Sequence, residues 1–127
     1  LLVEDDPTFR RLVTTNLRRR GAEVWEAGSV AEATTLLRQA LPDLILLDIN
    51  LPDSTGWEVL RSLAERGVVV PAVVLSAVQV SPARLREFPN VRFLPKPFPL
   101  EALLALVFGD SAGDPPERGD AGTGRAE

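Results

Sequence analysis

The chain contains neither cysteine nor histidine. Without cysteine there is no disulfide, no thiolate nucleophile and no zinc–thiolate site, and nothing marks the redox compartment. Without histidine the commonest metal ligand and general base is missing, and the chain cannot itself carry a phosphohistidine. Any chemistry must run on carboxylates, hydroxyls and lysine. Positive charge is also in short supply: 14 Lys and Arg stand against 18 Asp and Glu, a net charge of −4. That balance argues against nucleic-acid binding, which needs a basic face for the phosphate backbone. The basic block Arg18-Arg19-Arg20 precedes Gly21, where cations complement a helix C-terminus, and reads as structural. Long apolar runs are absent as well. The longest, Val68 to Val78, is broken by Pro71 and falls short of the ~20 residues a membrane helix needs. No basic-then-apolar opening marks a signal peptide. The expectation is a cytoplasmic chain with no membrane segment and no bound nucleic acid. Because it opens at Leu1 rather than Met, some upstream residues are expected to be missing.

What is present is enough for a folded domain. The 127 residues are 45% hydrophobic and 25% charged, the ordinary balance of one compact soluble unit. Short apolar runs alternate with helix-like segments, the pattern of a parallel α/β sheet. Leu1–Val3, Glu23–Ala27, Leu44–Leu47, the part of Val68–Leu75 after Pro71, and Val91–Leu94 read as strands. The third is apolar throughout, as a strand covered on both faces should be. Asp6 reads as a helix N-cap with Pro7 at the first helical position, and Phe9, Leu12, Val13 and Leu17 as that helix's apolar face. Ser29-Val30-Ala31-Glu32 reads as a capping box for a second helix. Trp57, Leu60 and Leu63 mark a third, and Leu100–Phe108 a last one. Between Val80 and Asn90, Pro82 and Pro89 leave only Ala83–Phe88 free to be helical, so the fourth helix is expected to be short or irregular. From Gly109 to Glu127 almost nothing can be buried, and disorder is expected there, leaving residues 1–108 as the domain.

Charged groups close these apolar runs. Glu4 and Asp5 end the first strand, Asp48 the third, Ser76 closes the fourth, and Lys96 follows the fifth. A charge beside buried apolar residues is costly unless paired or bound to a metal. In a doubly wound sheet the carboxyl ends of the strands meet at the point where strand order reverses. Carboxylates and an ammonium gathered there suit a divalent cation and a phosphoryl group.

At these residues the chain resembles the receiver domain of two-component response regulators. The resemblance rests on Leu-Leu-Val-Glu-Asp-Asp-Pro-Thr-Phe-Arg at the start, Pro-Asp-Leu-Ile-Leu-Leu-Asp-Ile-Asn-Leu-Pro-Asp-Ser-Thr-Gly in the centre, the Val-Val-Leu-Ser-Ala run, and Lys96-Pro97-Phe98. It covers residues 1 to about 108. It implies a flavodoxin-like fold: five parallel strands in the order 2-1-3-4-5, with five helices. It also implies that Asp48 is the phosphoacceptor, taking a phosphoryl group from a sensor histidine kinase or phosphotransfer protein. The lesser reading of Asp48 is a strand-end Asp capping the next loop. By the same resemblance a Mg²⁺ (or Mn²⁺) ion is held by Asp5 directly, Glu4 through water, Asp48, and the backbone carbonyl of Asn50. Lys96 then supplies a point charge to a phosphoryl oxygen. Ser76 matches the switch hydroxyl, with Ala77 behind it leaving room for approach, although a strand-end Ser by itself is usually a turn former. Phe93 matches the aromatic switch position, or is an ordinary strand residue. A cis Lys96-Pro97 peptide would aim the lysine inward. Asp6 remains the helix cap.

Three departures from the family fall on the surface that normally transmits its signal. Phe88-Pro89-Asn90 stands where relatives carry Gly-Ala, the fourth helix is short, and the fifth lacks the charged pattern of a common dimer face. The first reading is therefore a phosphorylated switch, not a turnover enzyme, acting on a downstream protein or on an output domain outside this chain. Val78, two residues past Ser76, is apolar and cannot orient a water, so phosphate loss is expected to be slow. The alternative is a receiver-like docking module that works without phosphorylation. A carboxylate-nucleophile phosphatase is disfavoured, because such enzymes place a second Asp where this chain has Asn50.

Overall fold

The computed structural model describes residues 1–109. The expected disorder of 110–127 lies outside the described residues. The chain divides into a unit over Leu1–Lys96, which carries the whole sheet, and a second from Pro97 onward.

The elements follow from local chemistry. Asp6 caps α1 (Pro7–Arg19) by accepting from the backbone N–H of Thr8 and Phe9, and Pro7 needs no donor there because N-terminal N–H groups have no helical partner. The chain leaves α1 through Gly21, whose φ of +93° is cheap only for glycine. Ser29 caps α2 (Val30–Gln39) by accepting from Glu32 N–H. The reciprocal half of the expected capping box differs: the Glu32 carboxylate accepts from Gly28 N–H rather than Ser29, at 2.6 Å. It reaches one residue further back, where glycine offers no side chain to obstruct it.

Five strands form one parallel sheet in the order β2-β1-β3-β4-β5. They are β1 (Leu2–Val3), β2 (Glu26–Ala27), β3 (Ile45–Asp48), β4 (Ala72–Ser76) and β5 (Val91–Pro95). Strand β2 is shorter than Glu23–Ala27 because its one partner, β1, offers only Leu2 and Val3 to pair with. Strand β4 begins just after Pro71, which cannot donate to a ladder.

Strand side chains alternate between faces. Val3, Ile45, Leu47, Ala72 and Val74 share a core cluster with Ala33 and Leu37 of α2 and with Val59, Leu60 and Leu63 of α3 (Trp57–Glu65). Their neighbours Leu2, Leu46, Val73 and Leu75 face the other way and are also buried. Both faces of the sheet are thus removed from water, at roughly 1.5–3 kcal/mol of stabilisation for each fully buried large side chain. This explains why β3 and β4 read as unbroken apolar runs.

The fourth helix, α4, spans Pro82–Glu87, shifted one residue from the expected Ala83–Phe88. Ser81 caps it by accepting from Arg84 N–H. Phe88 leaves the helix, at φ −127° and ψ 79°, because the residue before a proline is excluded from the helical region. No residue of α4 is itself buried. Its attachment comes from Phe88, which stacks on Trp57 at 5.6 Å between ring centroids and 12° between planes. Arg84 lies over the same indole at 5.1 Å, and Glu87 bridges Arg84 to Arg61 of α3, at 3.2 Å on each side. In the second unit α5 spans Leu100–Phe108 and ends at Gly109 in the left-handed conformation.

Candidate functional site

The parallel register brings the charged strand ends together. Leu2 pairs with Leu46 and Val3 with Leu47, so Glu4 follows β1 at the level where Asp48 closes β3. Asp48 in turn pairs with Leu75, and Ser76 with Pro95, which sets Lys96 at the same end. The Lys96 N–H donates to the Ser76 carbonyl at 2.8 Å and fixes the lysine's backbone beside β4.

The side chains converge from there. Lys96 Nζ stands 3.2 Å from Asp48 Oδ2 and 3.6 Å from Glu4 Oε1. Glu4, Asp5 and Asp48 each offer a carboxylate oxygen within 4.8 Å of the others. Glu4 and Asp48 are buried and Asp5 is exposed, so the cluster opens to solvent on the Asp5 side. Glu4 Oε2 accepts from Asp6 N–H at 3.1 Å, whereas Glu4 Oε1 is buried with no hydrogen-bond partner. Burial is the main cause that pushes the Glu4 carboxyl up to about 7, with the neighbouring carboxylates of Asp48 and Asp5 adding to it against Lys96 and the Asp6 N–H. The Lys96 ammonium is held above its ordinary value: burial opposes this, but the charges of Glu4 and Asp48 outweigh it.

These oxygens fit a small hard cation. Mg²⁺ prefers oxygen donors, keeps several waters, and binds through a few carboxylates at an open site. The orphaned Glu4 Oε1 is the kind of buried polar atom that calls for a partner. Glu4, Asp5 and Asp48 are therefore the residues that could hold the ion.

The loop after β3 is shaped around the Asp48 carboxylate. Asp48 Oδ1 accepts from Asn50 N–H at 3.0 Å, and Gly56 N–H donates to Ile49 O at 2.8 Å. Asn50 and Thr55 face each other in an antiparallel bridge. Gly56 is required on steric grounds, because a Cβ there would lie 2.5 Å from the Asp48 carbonyl oxygen.

The other residues singled out from the sequence sit in different settings. Asp6 is the α1 cap, as expected. Ser76 is 3% exposed, and its hydroxyl is committed to a turn: it donates to Val78 O and accepts from Val78 N–H, both at 3.0 Å. Ala77 beside it is exposed. Phe93 is half-buried, pairs with Val74, and packs on the core cluster rather than among the charged groups. Pro97 is exposed and opens the second unit.

Several participants were not foreseen. Phe9, assigned to the apolar face of α1, lies 5.4 Å from Lys96 Nζ and offers its ring to the ammonium. Arg10 Nη1 donates to Glu4 O at 2.7 Å while its Nε pairs with Glu26 at 3.3 Å, tying α1 to two strand ends. Asp53 accepts at Oδ1 from Val30 N–H at 2.9 Å and at Oδ2 from Ala31 N–H at 3.0 Å. The preference of helix N-termini for carboxylates could have flagged Asp53, but no local pattern links residues so far apart.

Among the described residues no helix is long and apolar enough to cross a membrane. Residues 1–108 match the family model described as the response regulator receiver domain. The chain is 34% identical over 111 residues to the DNA-binding dual master transcriptional regulator RpaA of Synechocystis, covering 84% of this chain and 46% of that protein. It is 35% identical over 111 residues to the transcriptional regulatory protein TrcR of Mycobacterium tuberculosis, covering 86% of this chain and 43% of the relative. It thus spans less than half the length of either regulator. Among solved structures it is similar to the chemotaxis protein CheY4 of Vibrio cholerae, with a TM-score of 0.75, 27% identity and coverage of 85% and 93%. The receiver domain of NtrX from Brucella abortus gives a TM-score of 0.74 at 25% identity, with coverage of 85% and 93%.

Proposed function

The chain belongs to the response regulator receiver family, and from that premise we propose that Asp48 is its phosphoacceptor and that phosphorylation switches a protein-interaction surface. The observation that carries the reading is the Lys96 ammonium 3.2 Å from the Asp48 carboxylate, inside a cluster of acidic oxygens. In the transfer an Asp48 oxygen forms a bond to phosphorus as the bond from phosphorus to a kinase histidine nitrogen breaks. The imidazole leaves with the electron pair, and Asp48 becomes an acyl phosphate. Nucleophile and phosphoryl group are both anionic, so the barrier falls only where fixed positive charge meets them.

Lys96 brings that charge to the phosphoryl oxygens without moving far, since it already rests on Asp48. Glu4, Asp5, Asp48 and the backbone carbonyl of Asn50 would hold a Mg²⁺ or Mn²⁺ ion, which supplies further positive charge to the phosphoryl group. The ring of Phe9 shields one side of the ammonium. Ser76 acts next. Its hydroxyl leaves the Val78 turn to donate to a phosphoryl oxygen, and the segment after β4 loses both hydrogen bonds that held it. The charge added at Asp48, about −1.5 to −2 at neutral pH, is thereby read out at the entry to α4.

The phosphoryl donor in this reading is a sensor histidine kinase or phosphotransfer protein, and the setting is the cytoplasm. The target is a downstream protein or an output domain joined to the receiver. The chain acts as a switch rather than a turnover enzyme.

Intact mass after incubation with acetyl phosphate and Mg²⁺, beside Asp48→Ala, tests the proposal. One phosphoryl adduct in the wild type, absent from the variant and blocked by a chelator, supports it. No adduct from folded protein with Mg²⁺ present refutes it. That outcome favours a docking module independent of phosphorylation, a reading motivated by the stacked, salt-bridged α4.

A further inference from the structure

Ile49 and Leu51 pack the start of the segment between Asp48 and α3 against the core, but its tip stands in solvent. Pro52, Asp53, Ser54 and Thr55 are all exposed, so no buried side chain anchors the tip of the loop. Its base is fixed by the Asn50–Asp48 bond, the Gly56–Ile49 bond and the Asn50–Thr55 bridge. Its tip is joined to another element by Asp53, which accepts the first two helical N–H groups of α2, from Val30 and Ala31. These N–H groups have no partner within the helix, and they sit at the positive end of its dipole. The match is reciprocal: α2 gains a second cap beside Ser29, and the loop gains a fixed point on a packed helix. Those same N–H bonds hold the Asp53 carboxyl below the ordinary carboxylate value.

We propose that Asp53 is a positioning residue for the phosphoacceptor site, pinning the loop to α2 so that the Asn50 backbone carbonyl is set in place for the metal ion before the ion arrives. The inference rests on the receiver reading given above and extends it to a residue that touches neither metal nor phosphoryl group. Its physical basis is preorganisation. A loop ordered in advance binds without first losing its conformational freedom, and outer contacts that orient a ligand commonly govern metal affinity.

The test is a calorimetric titration of the full chain with MgCl₂ alone, beside urea unfolding in EDTA. Asp53→Ala is expected to weaken Mg²⁺ binding about tenfold, the lower end of what loss of an outer contact costs a metal site. Asp53→Asn keeps an acceptor but not the charge and should fall between. Ser29→Ala removes the other cap of the same helix end without touching the loop. It should lower stability and leave Mg²⁺ affinity unchanged. If Asp53→Ala loses stability as Ser29→Ala does while binding Mg²⁺ like the wild type, Asp53 is only a helix cap and the proposal is overturned. If Ser29→Ala weakens Mg²⁺ binding as much as Asp53→Ala, the effect belongs to α2 and the proposal is likewise overturned. If the wild type binds no Mg²⁺ at all, the receiver reading fails with it, an outcome distinct from equal binding by wild type and variant.

Discussion

Replacing Glu4 by Gln should make the metal-free protein more stable at alkaline pH, although it removes a central residue of the site. The Glu4 side chain is 2% exposed, and its carboxyl is raised from 4.5 to about 7. Below pH 4.5 it is protonated in both folded and unfolded chains. Between that value and about 7 the unfolded chain releases a proton that the folded chain keeps, so stability falls as pH rises through this window. Above it the folded protein carries an unfavourable buried charge. At about 1.36 kcal/mol per unit, the shift corresponds to roughly 3 kcal/mol. Glutamine is nearly isosteric, and its carbonyl can still accept from Asp6 N–H, the bond now made by Glu4 Oε2. Its NH₂ group would face the Lys96 ammonium, which takes back part of the gain. The expected net effect is a stabilisation of about 2 kcal/mol at pH 8 in EDTA, read from urea unfolding followed by tryptophan fluorescence. At pH 5 the gap should nearly close, because wild-type Glu4 is then protonated when folded. Saturating Mg²⁺ at pH 8 should reverse the order, since only the wild type offers the ionised carboxylate. A variant less stable than wild type at pH 8 in EDTA, or a gap that does not shrink on acidification, would refute the reasoning.

Other outcomes follow from the same geometry. Lys96→Ala should slow phosphorylation by acetyl phosphate by roughly 10²–10³-fold, the usual cost of one preorganised electrostatic contact; an unchanged rate would remove Lys96 from the reaction. Gly56→Ala pushes a methyl group into the Asp48 carbonyl, where a Cβ would be 2.5 Å away. It should cost about 1–3 kcal/mol in urea unfolding, as overpacking generally does. The aspartyl phosphate should be lost slowly, because Val78 is 64% exposed and apolar and offers no hydrogen bond to an attacking water. Phosphate release with a half-life of seconds in a Mg²⁺ buffer would contradict this, and a Val78→Glu variant releasing faster would support it.

The strand-end chemistry was legible because burial and charge conflict within a few residues. Leu-Leu-Val followed by Glu4, and Leu-Ile-Leu-Leu followed by Asp48, announce carboxylates at the rim of a core, and the parallel register does bring them together. Asp6 was legible as a cap because Pro7 follows it. The ends of elements were less so. Strand β2 is cut to the two residues that β1 can pair with, and α4 moved by one residue because Phe88 precedes a proline. Asp53 and Phe9 were invisible for a different reason: their partners are set by tertiary placement. Asp53 meets N–H groups 22 and 23 residues away. Phe9 looked like any core aromatic until Lys96 arrived beside it. Ser76 stands in this structure as the strand-end turn former, its hydroxyl bonded to Val78.

The stack of Phe88 on Trp57, with Arg84 across the indole and Glu87 reaching Arg61, ties α4 to α3 through one aromatic pair and one charge lattice. Flat rings in contact can slide a little or part company, and parting would cost the stack and the charge lattice in one event. Trp57 of α3 is thus the residue against which any displacement of α4 would have to work.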